Sequence, residues 1–207
     1  MTGEFKLEAP FRRAEPKDCL RIAELFNIAG AGVPEYVWTN LADEYPGLSP
    51  LEIGEQRYLR EDIAFSFRNT VVAEIDGKVV GILIAFPIES EDEPSQSELA
   101  ETEPESDTPD VMRPFHELEI PGSYYICGVA LSPEHRGRGL GTGFMEIARN
   151  TARNEGLKTL SLIAFEQNPR AVKLYEKLGF DIVDSRPLVP HPLIQYTGKA
   201  LLMAAKV

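Results

Sequence analysis

Between Arg136 and Gly143 the chain sets four glycines among two arginines: Arg136-Gly137-Arg138-Gly139-Leu140-Gly141-Thr142-Gly143. Glycine lets backbone amides approach a ligand with no side chain in the way. The apolar run before it, Tyr124 to Leu131, reads as a buried strand, and Phe144-Met145-Glu146-Ile147-Ala148 after it reads as a helix. A helix start presents unpaired N–H groups and the positive end of the helix dipole. Strand, glycine-rich turn and helix start together make a phosphate cradle, to which the arginines add positive charge. The turn is therefore expected to hold the pyrophosphate of a nucleotide-like cofactor. A Rossmann fingerprint needs G-x-G-x-x-G, but Thr142 or Phe144 stands where the third glycine should be. A Walker A loop needs a lysine after its last glycine, and none follows here.

Arg136 to Gly141 instead resembles the R/Q-x-x-G-x-G/A signature of the GNAT superfamily, the acyl-CoA-dependent N-acyltransferases. Val129-Ala130-Leu131-Ser132-Pro133-Glu134 is similar to the end of that family's fourth strand. Further on, Asn168-Pro169-Arg170-Ala171-Val172-Lys173-Leu174-Tyr175-Glu176-Lys177-Leu178-Gly179-Phe180 resembles its second conserved segment, N-x-x-A-x-x-x-Y-x-x-x-G-F. The two segments stand in the family's order with a strand between them. The close resemblance covers roughly residues 123–186, and the N-terminal half matches in its order of elements.

The resemblance implies acetyl-CoA as donor and an amine as acceptor. It implies that backbone amides across Gly137, Arg138, Gly139, Leu140, Gly141 and Thr142 hold the pyrophosphate beside Arg136. Main-chain groups of Val129 and Leu131 would pair with the pantetheine arm like an added strand, with Ala130 counted in the same cofactor-binding set. Asn168 would contact the CoA arm, although an asparagine there also suits a helix cap. Tyr175 would touch the cofactor and act in catalysis. Attack of an amine on a thioester expels a thiolate, and a phenol in reach of the sulfur can donate a proton or stabilise its charge. The same residue also fits a core aromatic, one turn after Ala171.

The amine must also lose a proton. Some family members place a glutamate on the fourth strand where this chain has Tyr125. An unperturbed tyrosine has a pKa near 10 and is a poor base at neutral pH. Glu117, Glu119 and His116 precede the strand and could act through water, and Glu119 is the chosen candidate. Glu35, Tyr36 and Trp38 follow the first helix, where the family often builds its acceptor pocket. His191 between Pro190 and Pro192 reads as loop rigidity. Cys19 and Cys127 sit in apolar patterns and read as reduced core thiols. No set of His, Cys or carboxylates has metal-binding spacing.

These residues need elements to hold them. Phe5 to Arg13 reads as a first strand, Lys17 to Gly30 as a helix, and Leu51 to Phe67 as helical in part. Thr70 to Ile75 and Lys78 to Phe86 flank Asp76-Gly77, a hairpin signal. A strand over 124–131, a helix to about Glu155, a strand over 159–165, a helix over 168–178 and two final strands follow. The expected class is α/β: a mixed, mostly antiparallel twisted sheet with helices on both faces, its central strands splayed at the cofactor site. The chain of 207 residues suits one such domain over 1–207. An acidic insert at about 88–114 interrupts it, and its end, Phe115 to Ile120, alternates and is expected to pack on the body.

That insert carries the charge. Residues 89–110 hold 10 acidic residues and no Lys or Arg, against a net charge of −12 for the whole chain. The remainder is close to neutral. Strong negative charge argues against nonspecific nucleic-acid binding. No apolar run approaches the length of a membrane span, and the N-terminus shows no signal-peptide core, so a cytoplasmic location is expected. A homodimer is the default among soluble oligomers. A noncatalytic acyl-CoA sensor is the alternative to a transferase.

Overall fold

The computed structural model describes residues 6–89 and 110–207. Its strands are β1 (Phe11–Arg13), β2 (Thr70–Ile75), β3 (Lys78–Pro87), β4 (Tyr124–Leu131), β5 (Thr159–Phe165), β6 (Asp181–Pro187) and β7 (Lys199–Lys206). Its helices are α1 (Cys19–Ala29), α2 (Val33–Asn40), α3 (Pro50–Leu59), α4 (Arg113–His116), α5 (Leu140–Asn154) and α6 (Pro169–Lys177). The strands form one sheet in the order β1-β2-β3-β4-β5-β7-β6. Every neighbouring pair is antiparallel except β4 with β5, which is parallel.

Local chemistry accounts for most boundaries. Asp76 and Gly77 both take positive φ, 51° and 72°, as a tight hairpin turn between β2 and β3 requires. Ser49 and Glu52 exchange capping hydrogen bonds at the start of α3, with Pro50 at its first position. The expected first strand shrinks to Phe11–Arg13, because Ala9 and Pro10 form a turn and Pro10 has no N–H for a ladder. Phe115 to Ile120 forms no strand, but it packs as expected: Leu118 within it is buried with Val111 and Met112 ahead of it, and Phe115 and Ile120 are partly buried against the same cluster.

The sheet carries helices on both faces. Phe144, Ile147 and Ala148 of α5 pack with Tyr124, Ile126, Leu160 and Leu162, and α6 joins them through Val172 and Tyr175. On the other face Ile22, Phe26, Trp38 and Ile53 of α1–α3 pack on Val72, Ile82 and Ile84. Residues 111–118 and 188–194 extend that second layer beside Phe165 and Leu202. No helix among the described residues is long and apolar enough to cross a membrane.

One irregularity matters for the site. β3 and β4 pair residue for residue from Gly81–Leu131 to Ile84–Gly128, and then Ala85 pairs with Ile126. Cys127 is the extra residue of a β-bulge, which bends its strand and sharpens the local twist. At the same point β4 loses β5: the two pair only over Tyr124–Ile126 and Leu160–Leu162. Beyond it they diverge as a fork.

Candidate active site

The fork exposes a strip of main chain. The Ser132 N–H donates to the Val80 carbonyl at 2.8 Å, so β4 turns the peptide groups of Ala130 and Gly128 towards their β3 partners, Ile82 and Ile84. By alternation the N–H and C=O groups of Val129 and Leu131 face the gap. The Leu131 carbonyl there accepts from Arg136 Nε at 3.1 Å. Ala130, expected with the cofactor-binding set, gives its main chain to β3 and its methyl to the core. It offers no free group to the gap.

Beyond Leu131 the chain enters the glycine turn. Gly137 and Gly139 have φ of +75° and +85°, a region that costs other residues energy. A Cβ at either would meet nothing within 4 Å, so the turn offers open backbone. Gly139 caps α5, and the first bond across that end runs from the Gly143 N–H to the Gly139 carbonyl at 3.0 Å. The amides of Leu140, Gly141 and Thr142 come before it, without helical partners. No acidic side chain sits in the first turn of α5, and Arg136 and Arg138 are exposed beside it. This open, cationic cradle fits a pyrophosphate. Gly143 serves helix packing instead. Its Cβ would fall 2.6 Å from the Phe11 ring, so the bare glycine lets α5 lie close to β1.

α6 approaches the cradle from the same face. Asn168 caps it, its side chain accepting from the Ala171 N–H at 3.3 Å, with Pro169 at the first position. Leu174 lies beside Gly141, 3.7 Å from where its Cβ would stand. The next residue, Tyr175, is half-buried against the core, its ring 6.0 Å from that of Phe180. Burial pushes its phenol up to about 12, and the hydroxyl has no hydrogen-bond partner among the described residues.

A cavity of about 140 Å³ opens on the opposite face of the sheet. Tyr125 and Cys127 line it from β4, Ile163 and Phe165 from β5, and Trp38 and Tyr58 from α2 and α3. It therefore meets the fork from the side away from α6. Glu119 lies close enough for its charge to raise the Tyr125 and Cys127 pKa values further. Both are pushed up mainly by burial, which leaves Tyr125 a poor base and Cys127 a neutral thiol. The Glu119 carboxyl is half-buried, has no ion-pair or hydrogen-bond partner among the described residues, and is raised by desolvation.

The other acid–base candidates are engaged or displaced. Glu117 is exposed and paired to Arg186 at 2.8 Å and Arg113 at 3.5 Å. Burial lowers the His116 pKa, and its Nε2 has no partner among the described residues. Of the residues expected in an acceptor pocket, Trp38 lines the cavity, whereas Glu35 accepts from Asn27 at 3.0 Å and Tyr36 packs edge-on against His191. His191 also accepts the Leu193 N–H at 3.3 Å, in keeping with a rigid loop. Tyr58, Phe65, Phe115 and Phe165 line the cavity without any signal in sequence that would join them. The acidic run lies, over 90–109, outside the described residues.

The sequence model of the acetyltransferase (GNAT) family matches residues 35–180. The chain is 34% identical over 90 residues to N-alpha-acetyltransferase 40 of Saccharomyces cerevisiae, a stretch covering 40% of this chain and 31% of that protein. The crystal structure of an N-acetyltransferase from Staphylococcus aureus Mu50 superposes with a TM-score of 0.61 at 21% identity, over 94% of this chain and 99% of that one. Chaetomium thermophilum Naa20, solved with a bisubstrate analogue, gives a TM-score of 0.59 at 19% identity, over 95% and 86% of the two chains. Likeness at these identities establishes the shared fold.

Proposed function

The chain belongs to the acetyltransferase (GNAT) family, and on that premise we propose that it transfers an acetyl group from acetyl-CoA directly to the amino group of a bound acceptor. The observation that carries this reading is the continuity of the fork with the glycine turn. Two residues whose main chain faces the gap, Val129 and Leu131, the latter with its carbonyl held by Arg136, lead into three amides without helical partners at the start of α5. That strip suits an extended amide-bearing arm ending in a pyrophosphate, which is the chemistry of CoA.

The amine nitrogen attacks the thioester carbonyl carbon, the carbon–sulfur bond breaks, and the thiolate leaves. We assign Tyr175 to the thiolate and Glu119 to the amine. An unperturbed thiol has a pKa near 8.5, well below the value of about 12 to which burial pushes Tyr175. Tyr175 thus remains protonated and stabilises the departing sulfur by hydrogen bonding. Glu119, raised by desolvation, is a stronger base than an ordinary carboxylate and takes the amine's proton through water. The two lie on opposite faces of the sheet, on either side of the fork. Calorimetric titration with acetyl-CoA tests the cradle, and acceptor-dependent release of CoA tests the transfer.

A further inference from the structure

Resting on the transfer reading above, we propose that Ser123 and Ser161 are a positioning pair: their buried hydroxyls tie the closed end of the fork to the turn that carries Glu119, and so hold that carboxyl at the amine. The two Oγ atoms lie 2.6 Å apart, and both residues are 0% exposed. Ser123 immediately precedes β4, and Ser161 stands opposite Tyr125 in the short ladder, Tyr124–Ile126 with Leu160–Leu162, that joins β4 to β5. Parallel pairing is slightly weaker per residue than antiparallel pairing. The hydroxyl bond therefore adds a cross-link where few ladder bonds hold the fork.

The main chain of Ser123 is fixed as well. Its N–H donates to the Ile120 carbonyl at 3.2 Å, and its carbonyl accepts from the Ile88 N–H at 2.8 Å. The first of these bonds closes the turn over Ile120, Pro121 and Gly122, directly after Glu119. On the other side of Glu119, Leu118 is fully buried and its N–H donates to the Phe115 carbonyl at 3.3 Å. Glu119 is thus held between a buried anchor and a turn whose far end is bonded to β5. Its charge is felt at Tyr125 and Cys127, on the strand that follows Ser123.

Stability does not require the two hydroxyls. A neutral hydrogen bond adds little net stability, and replacing both partners by apolar groups of the same shape is nearly neutral. Two alanines would fill the space and let β4, β5 and the turn shift past one another. The hydroxyl pair fixes one distance among the three. A reacting group displaced by about 1 Å can lose about 100-fold in rate, so that distance matters to the transfer more than to the fold.

The test is CoA release from acetyl-CoA by the full chain, with tyramine, spermidine and a Ser-initial peptide as acceptor probes and the fastest of them used throughout. Ser123→Ala/Ser161→Ala should keep Tm and acetyl-CoA affinity close to those of the parent and lower kcat/KM for the acceptor by about tenfold or more. In a Glu119→Gln background the same two substitutions should change kcat/KM by less than about twofold, because the pair acts through Glu119. The gain in Tm expected of Glu119→Gln at pH 7 should vanish when the pair is absent, since the released carboxylate regains water. Ser161→Cys, which keeps the space filled and weakens the bond, carries the same test if the double variant does not fold. An unchanged kcat/KM, an equal loss in both backgrounds, a Tm gain that persists without the pair, or a loss of acetyl-CoA affinity overturns the proposal and leaves the transfer reading standing. Acetyl-CoA binding with no release in the presence of any of the three amines overturns both.

Discussion

Tyr175 and Glu119 are both groups whose burial has no polar compensation among the described residues. For Tyr175 the consequence is kinetic: Tyr175→Phe should keep acetyl-CoA affinity in calorimetry and lower kcat by about tenfold or more. Unchanged turnover would return Tyr175 to the role of a core aromatic beside Phe180. For Glu119 the consequence reaches stability as well. Its folded pKa is raised, so its contribution to stability is fully present below the unfolded value and lost as pH rises through the folded one. Glu119→Gln should therefore raise Tm at pH 7, and the gain should shrink towards pH 4. The same variant should lose the acid limb of the kcat/KM profile and fall about 100-fold in rate. A profile left in place would exclude Glu119 as the base. The sequence pointed to Tyr175 because a thirteen-residue motif surrounds it. It could only suggest Glu119, because nothing local distinguishes it from Glu117; the difference is that Arg186 and Arg113 neutralise one and no group among the described residues pairs the other.

The elements were legible where a local rule acts. The Asp76-Gly77 hairpin, α5 ahead of its Gly156 stop, and α6 between Asn168 and Gly179 all follow from turn and cap chemistry. The bulge at Cys127 was not legible. Tyr124 to Leu131 alternates without a break in burial, and only the β3 partners reveal the skipped residue. That skip gives the site its geometry, since β5 departs at the same place. In the glycine turn the backbone angle and the open space are separable. Gly139→Ala should destabilise the fold by about 1 kcal/mol through its positive φ and still bind acetyl-CoA. Gly139→Glu should abolish binding in calorimetry, because it places a negative side chain where the phosphates lie. Equal affinity in the two variants would remove the pyrophosphate from this turn.

Long-range packing builds the cavity, and that is why, of the residues expected in an acceptor pocket, only Trp38 proves to line it. Its rings lie between Phe26 and Phe165 in the chain, and no periodicity connects them. Close helix approach sets its shape: a Cβ on Gly54 would stand 2.7 Å from the Trp38 ring. Gly54→Ala should push α2 from α3 and destabilise the protein by about 1–3 kcal/mol in a urea melt, whereas a neutral result would mean the two helices part freely. Ligand binding should act in the opposite sense, with acetyl-CoA at 100 times its Kd stabilising the folded state by about 2.7 kcal/mol. The most direct measurement is CoA release from acetyl-CoA in the presence of amines, products confirmed by mass, with Tyr175→Phe assayed beside the parent chain. Acceptor-dependent release that collapses in the variant while acetyl-CoA binding persists is the expected result. Verified acetyl-CoA binding with no acceptor-dependent release would contradict it, leaving a protein that holds the donor and transfers nothing.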